Sequence, residues 1–108
     1  MWPKYDKPFF FHDIELDNEH YKAITSCIVP TGVGKTIFNC GVAICSNEDS
    51  FNKKMGRRIA EGRARKYGHN CSIQATDFGS LKVAVAEMME ETLSTATALK
   101  KERLSKKA

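Results

Sequence analysis

The first half of the chain alternates between apolar and polar positions as strands do. From Pro8, PFFFHDIEL is rich in aromatic and branched residues, and Asp17-Asn18 behind it is a turn signal. HYKAITSCIV then alternates weakly, with Tyr21, Ala23, Thr25, Cys27 and Val29 on one face and Ile24 and Ile28 on the other, so both faces of this strand are expected to be covered. TIFNCGVAICS sets Phe38, Cys40, Val42 and Ile44 against Asn39, Gly41, Ala43 and Cys45. The small residues of that second face let another element approach the sheet closely. Three consecutive strands with short connections predict an antiparallel meander.

After Cys45 the period changes. Ser46-Asn47-Glu48-Asp49 is a helix-start signal, with Ser46 or Asn47 as cap and two acids for the positive end of the dipole. The helix is expected over residues 50–67, with Gly68 as its C′ residue. Phe51, Met55, Ile59 and Gly62 share one narrow face, and Lys53, Lys54, Arg57, Arg58 and Arg65 fall on the opposite arc, interrupted by Glu61 and Ala64. Gly56 and Gly62 each cost a helix about 1 kcal/mol relative to alanine, which close packing of the backbone would offset. CSIQAT, from Cys71, predicts a fourth short strand, and Asp77-Phe78-Gly79-Ser80 a turn that caps a last helix running from Leu81 to about Lys106. That helix would be about 40 Å long at ~1.5 Å per residue, more than a small sheet can cover. It carries a stripe of Leu81, Val85, Met88 or Met89, Leu93, Ala96 and Leu99, and its small-residue stretch TLSTATAL suits tight helix–helix packing, so a partner subunit or a protruding tail is expected. The expected fold class is α+β: an antiparallel β-meander followed by a helix, a short strand and a long C-terminal helix, in an oligomer.

The 108 residues make a single domain, 1–108, whose last nine residues form a basic tail. No apolar run approaches the ~20 residues that span a bilayer, and the N-terminus lacks a secretory design, so no membrane is expected and the cytosol is the expected compartment. There Cys27, Cys40, Cys45 and Cys71 stay mostly reduced and read as small apolar strand residues. They form no C-x-x-C pair, and no motif joins His12, His20 and His69, so neither a metal nor a cofactor is implied. Asp13, Glu15 and Asp17 read as a solvated strand edge. The net charge of +4 is unevenly spread: residues 1–50 sum to −3, 51–70 to +6, 71–99 to −3 and 100–108 to +4. An anionic partner would be drawn to the two basic segments.

The stretch PTGVGKT, residues 30–36, imitates a nucleotide-binding loop of the form G-x-x-x-x-G-K-[ST]. Its first glycine is replaced by Val29, and a strand follows it where a phosphate-binding helix should, so it reads as a hairpin turn. The metalloprotease H-E-x-x-H and the G-x-S-x-G nucleophile elbow are both missing, and no Ser/His/Asp arrangement is defensible, so no catalytic residues and no enzyme are expected. The basic helix has two readings, a solvated surface or a phosphate-binding face. In the second, Arg57, Arg58 and Arg65 grip phosphate oxygens in pairs, and Lys53 and Lys54 add point charge. Phe51 and Tyr67 are aromatic but suit a core. Phe78, in a turn, is the base-stacking candidate, with packing as its equal alternative.

The segment CSNEDSFNKKMGRRIAEGRARK, behind a strand ending GVAIC, has the form S-x-x-D-x-F-x-[KR]-K-x-G-R-x-I-A-x-G-R-A. It resembles a segment of small bacteriophage proteins, among them the anti-Thoeris sponges, and covers about a quarter of the chain. The resemblance implies an oligomer in the host cytosol that shields a cyclic ADP-ribose-type immune signal between subunits without cleaving it. Residues and resemblance together favour a non-catalytic protein that sequesters a small phosphorylated nucleotide. The alternatives are nucleic-acid binding through the basic helix 50–67 and the Lys-rich tail, and a protein–protein inhibitor that uses the last helix.

Overall fold

A computed structural model of the chain describes residues 7–31, 37–68 and 71–107; of the hairpin turn expected over 30–36, residues 32–36 lie outside the described residues, as does His69. Strands β1 (Phe9–Asp13), β2 (Tyr21–Pro30), β3 (Ile37–Ser46) and β4 (Ser72–Gln74) form one antiparallel sheet ordered as in the chain. Helix α1 (Lys53–Tyr67) connects β3 to β4, and α2 (Phe78–Lys107) follows β4. The class is α+β, as the alternation predicted. β1 ends at Asp13, so Glu15 and Asp17 lie beyond it instead of along a strand edge.

The two helices cover opposite faces of the sheet. On the α2 side, Ile28, Phe38, Cys40, Ala75, Leu81 and Val85 form the core, with Phe9, Phe11, Met88 and Met89 packed against it. Each large side chain there contributes roughly 1.5–3 kcal/mol by leaving water. On the α1 side the core is Cys27, Ala43, Ala60 and Ala64, flanked by Phe10 and Val29. β2 is buried on both faces from Ala23 to Ile28, which is why its apolar residues do not alternate cleanly.

The β2 alternation fails at one residue. The register shifts between Tyr21 and Ala23, so Lys22 is an extra residue opposite β3. Such a bulge reverses the facing of everything before it. Tyr21 therefore leaves the Ala23 face and reaches α2, where its hydroxyl donates to the Ala96 carbonyl at 3.5 Å.

α1 begins three residues later than expected. Its cap is Asn52, whose side chain accepts from the Met55 amide at 3.1 Å, in place of Ser46 or Asn47. Ser46 and Asn47 are used elsewhere: Asn47 ties its side chain to the Glu19 carbonyl at 2.7 Å, and the Ser46 carbonyl accepts from the Asp49 amide at 3.2 Å in a turn. The C-cap Gly68 has φ −62°, an ordinary right-handed value, so its glycine is not explained by a left-handed turn. It is needed because a Cβ there would stand 2.6 Å from the Asn39 Cβ.

The face α1 buries is also not its large apolar face. Ala60 and Ala64 sit on the sheet, while Met55 and Ile59 are 52 % and 39 % exposed. A Cβ on Gly41 of β3 would overlap the backbone of Ala60 and Ala64, and one on Gly56 would stand 2.9 Å from the Thr25 hydroxyl. Backbone meets backbone here, so the smallest side chains of the helix select its buried face. α2 starts at Phe78, three residues earlier than expected, because Asp77 and Ser80 cap it reciprocally: the Ser80 amide donates to Asp77 Oδ1 at 2.7 Å and the Asp77 amide to Ser80 Oγ at 3.2 Å.

Candidate functional site

Starting α1 at Lys53 has an electrostatic result. Glu48 and Asp49 fall outside the helix, and its first turn holds Lys53 and Lys54 and no acid. A helix N-terminus carries about half a positive charge, so each cation there is disfavoured by roughly 0.3–1 kcal/mol. Arg57 and Arg58 follow one turn on, making two like-charged i,i+4 pairs, Lys53/Arg57 and Lys54/Arg58, each unfavourable by about 0.2–0.5 kcal/mol. All four side chains are exposed, and none makes an ion pair or hydrogen bond with a described residue. Asn52 satisfies the Met55 amide and the Asn52 carbonyl receives the Gly56 amide. The amides of Lys53 and Lys54 are the first two of the helix and have no partner within it.

The other basic residues of α1 are already engaged. Arg65 donates from Nε to Glu61 at 2.8 Å, and Arg63 donates to the Val42 carbonyl at 2.6 Å. Four of the five cations expected to bind phosphate, Lys53, Lys54, Arg57 and Arg58, thus share the first two turns of α1. Arg65 lies two turns further on with its own counter-ion.

Phe78 does not join them. Its ring lies 6.2 Å from those of Phe9 and Phe11 and 5.7 Å from Lys82 Nζ, on the α2 side of the sheet. Lys53 and Arg57 act on His12, which faces α1. The expected stacking residue and the expected phosphate residues are therefore on opposite sides of the molecule, and Phe78, 44 % exposed, rests one side of its ring against Phe9 and Phe11. Tyr67 is 53 % exposed beneath the Lys66 ammonium, outside the core it suited.

Beside the cations the structure brings in groups that no spacing revealed. His12 on β1 pairs with Thr25 on β2, and their side chains hydrogen-bond at 2.9 Å. The Phe51 ring stands edge-on to His12 at 6.4 Å. Phe51 also lines a cavity of about 260 Å³ with Ala43, Cys45, Asp49, Ser50, Met55 and Ile59 among its walls. Burial, then the nearby Lys53 and Arg57 charges, lower the His12 pKa below its ordinary 6.5. The imidazole is therefore neutral at pH 7, and it senses both cations. Thr25 is buried, so its contact with His12 orients the ring and presents no nucleophile to solvent. What this end of α1 can do is hold an anion at Lys53, Lys54, Arg57 and Arg58, with a flat ring able to enter beside Phe51.

A second cavity, about 490 Å³, lies on the α2 side among Phe11, Leu16, Ile24, Val85, Met89 and Leu93, with His12 and Asp13 at its β1 wall. Among the described residues no helix is long and apolar enough to cross a membrane. No family model matches the chain, and neither a curated protein nor a solved structure is significantly similar to it. The resemblance drawn from the α1 segment stands on those residues alone.

Proposed function

We propose that this protein is a non-catalytic binder that sequesters a small phosphorylated nucleotide at the start of α1. One observation carries this reading: four exposed cations, paired with no acid among the described residues, stand over the positive end of a helix dipole. A folded chain gains nothing from that placement, whereas a bound phosphate relieves repulsion and takes up the free helix amides. Arg57 and Arg58 offer paired donors to phosphate oxygens, and Lys53 and Lys54 supply point charge. Phe51, with His12 behind it, replaces Phe78 as the ring on which a base stacks. Arg65 serves Glu61 and stands outside the phosphate set. Cyclic ADP-ribose-type signals, implied by the phage resemblance, head the list of ligands to test. A second copy of the chain, expected from the length of α2, would be read as twice the mass in solution.

The test is thermal denaturation against a panel of mononucleotides, cyclic dinucleotides and cyclic ADP-ribose isomers. A true ligand at a hundred times its Kd stabilises the fold by ~2.7 kcal/mol. Alanine at Arg57 and Arg58 together should abolish that shift while leaving the unliganded fold within about 0.5 kcal/mol, as exposed substitutions do. If no compound on the panel shifts the wild-type protein, the reading is wrong.

The openness of the cations favours one rival. Lys53, Lys54, Arg57 and Arg58 are exposed, as are Lys101, Arg103 and Lys106 on α2, and a nucleic acid needs no enclosed pocket. A long polyanion would bind with steep salt dependence, and each lost phosphate contact would lower the slope by about 1. A mononucleotide-sized ligand would show a shallow slope.

A further inference from the structure

We propose that Cys40 and Cys71 are a thiol–disulfide pair, a modification site at which a small-molecule disulfide converts the two thiols into an intramolecular Cys40–Cys71 bond. The sheet register places them together. β3 pairs with β4 at Ile37↔Gln74, Phe38↔Ile73 and Asn39↔Ser72, and the next step is Cys40 opposite Cys71. The Cys40 amide donates to the Cys71 carbonyl at 3.0 Å, which carries the pairing to that position. The return bond is not made, because the Cys71 amide donates to the Gly68 carbonyl at 3.0 Å. Residues opposed across an antiparallel pair have Cα atoms ~4.5–5.5 Å apart, and disulfides span about 4.4–6.8 Å. The two thiols are also hydrogen-bonded to each other. Both side chains belong to the same apolar cluster under α2, so they point to one face.

The other thiols are elsewhere. Cys27 is buried under α1 on the opposite face, and Cys45 lies in the cavity beside Phe51. Cys71 is half-buried and forms part of a groove with Met88, Thr92, Thr95 and Leu99, open to a small reagent, whereas Cys40 is buried. Burial, with the hydrogen-bonded Cys71 thiol next in weight, pushes the Cys40 thiol up to about 12. Cys40 is thus a poor first nucleophile, and the order of events follows.

The Cys71 thiolate attacks one sulfur of the reagent RSSR, forming Cys71–S–S–R and releasing RS⁻, which takes up the proton Cys71 gave to solvent. Cys40 then loses its proton and attacks the Cys71 sulfur, breaking its S–S bond to the reagent sulfur and expelling RS⁻, which takes up that proton as a second RSH. In total two cysteine thiols are oxidised to one disulfide and RSSR is reduced to two RSH. The segment between the two cysteines contains the whole of α1, so the bond closes a covalent loop around that helix and fastens the three-residue strand β4.

The native full-length protein is incubated with oxidised glutathione, quenched in acid, and mapped by non-reducing peptide mass spectrometry. The expected product has lost two hydrogens, contains a linked Cys40–Cys71 peptide, and leaves Cys27 and Cys45 alkylatable after unfolding. Reduction restores the starting mass. A glutathione adduct that stays on Cys71, a bond that includes Cys45, or oxidation that requires denaturant would each overturn the proposal. The C71S variant controls for unfolding, because it retains the packing of Cys40. Under the same treatment it should gain no intramolecular bond, and one that still forms counts against the pair.

Discussion

A methyl group on Gly41 would overlap the main chain of Ala60 and Ala64, atoms that cannot rotate away. Gly41→Ala is therefore expected to destabilise the fold by about 1–3 kcal/mol or more, the cost of overpacking. Gly62 is the control within the same layer. Nothing lies within 4 Å of a Cβ placed there, so Gly62→Ala should stabilise by roughly 0.5–1 kcal/mol through better helix propensity. Urea unfolding of the two variants checks both signs. His12 offers a further test at this scale. Its folded pKa lies below 6.5, so between that value and the folded pKa the unfolded chain holds more protons. With respect to His12, stability is complete above pH 6.5 and falls as pH drops through the folded pKa. Replacing Lys53 and Arg57 with methionine should raise the His12 pKa, measured by NMR titration, yet leave it depressed because burial is the larger cause. A phosphate bound to those cations should raise it as well.

At the scale of elements, the strands were legible and the α1 interface was not. Clean alternation in β3 revealed both its large face and its small face, and the small face does receive a helix. The helix wheel of α1 grouped Phe51, Met55, Ile59 and Gly62 on one narrow face, but the face it buries is that of Ala60 and Ala64. Gly41 explains the choice: where the sheet offers no side chain, the helix turns its own smallest residues inward. The start of α1 was misplaced because Ser46 and Asn47 have the right chemistry for a cap but are held by the β2 and β3 ends. Asn18 was legible only as a turn residue, yet it joins two elements. Its Oδ1 accepts from the His20 and Tyr21 amides at 2.9 and 3.1 Å, and its Nδ2 donates to Thr97 Oγ1 at 3.2 Å on α2. At about 0.5–1.5 kcal/mol for each bond, Asn18→Ala should cost roughly 2–4 kcal/mol. Hydrogen exchange should report the loss as faster exchange at the β2 start and in α2 around Thr97.

Across the whole molecule, the candidate site was half legible. Charge is a property of composition, so the cluster in α1 could be read from the chain. Facing is a property of topology, and it separates Phe78 from the cations by the thickness of the sheet. His12 and Thr25 became neighbours only when β1 paired with β2. The α2 side carries the larger apolar side chains, and the α1 side carries small ones beneath exposed charge. One layer buries the larger apolar side chains and the other presents the cation cluster.

The contact between the α1 main chain and Gly41 bears on how that chemistry is delivered. Helices seated on layers of side chains can slide or roll as those side chains change rotamer. α1 has no such bearing at Ala60 and Ala64; it is bolted to β3. The backbone points from which its outward cations extend are therefore set by β3, and only their side chains are left to adjust to the proposed guest.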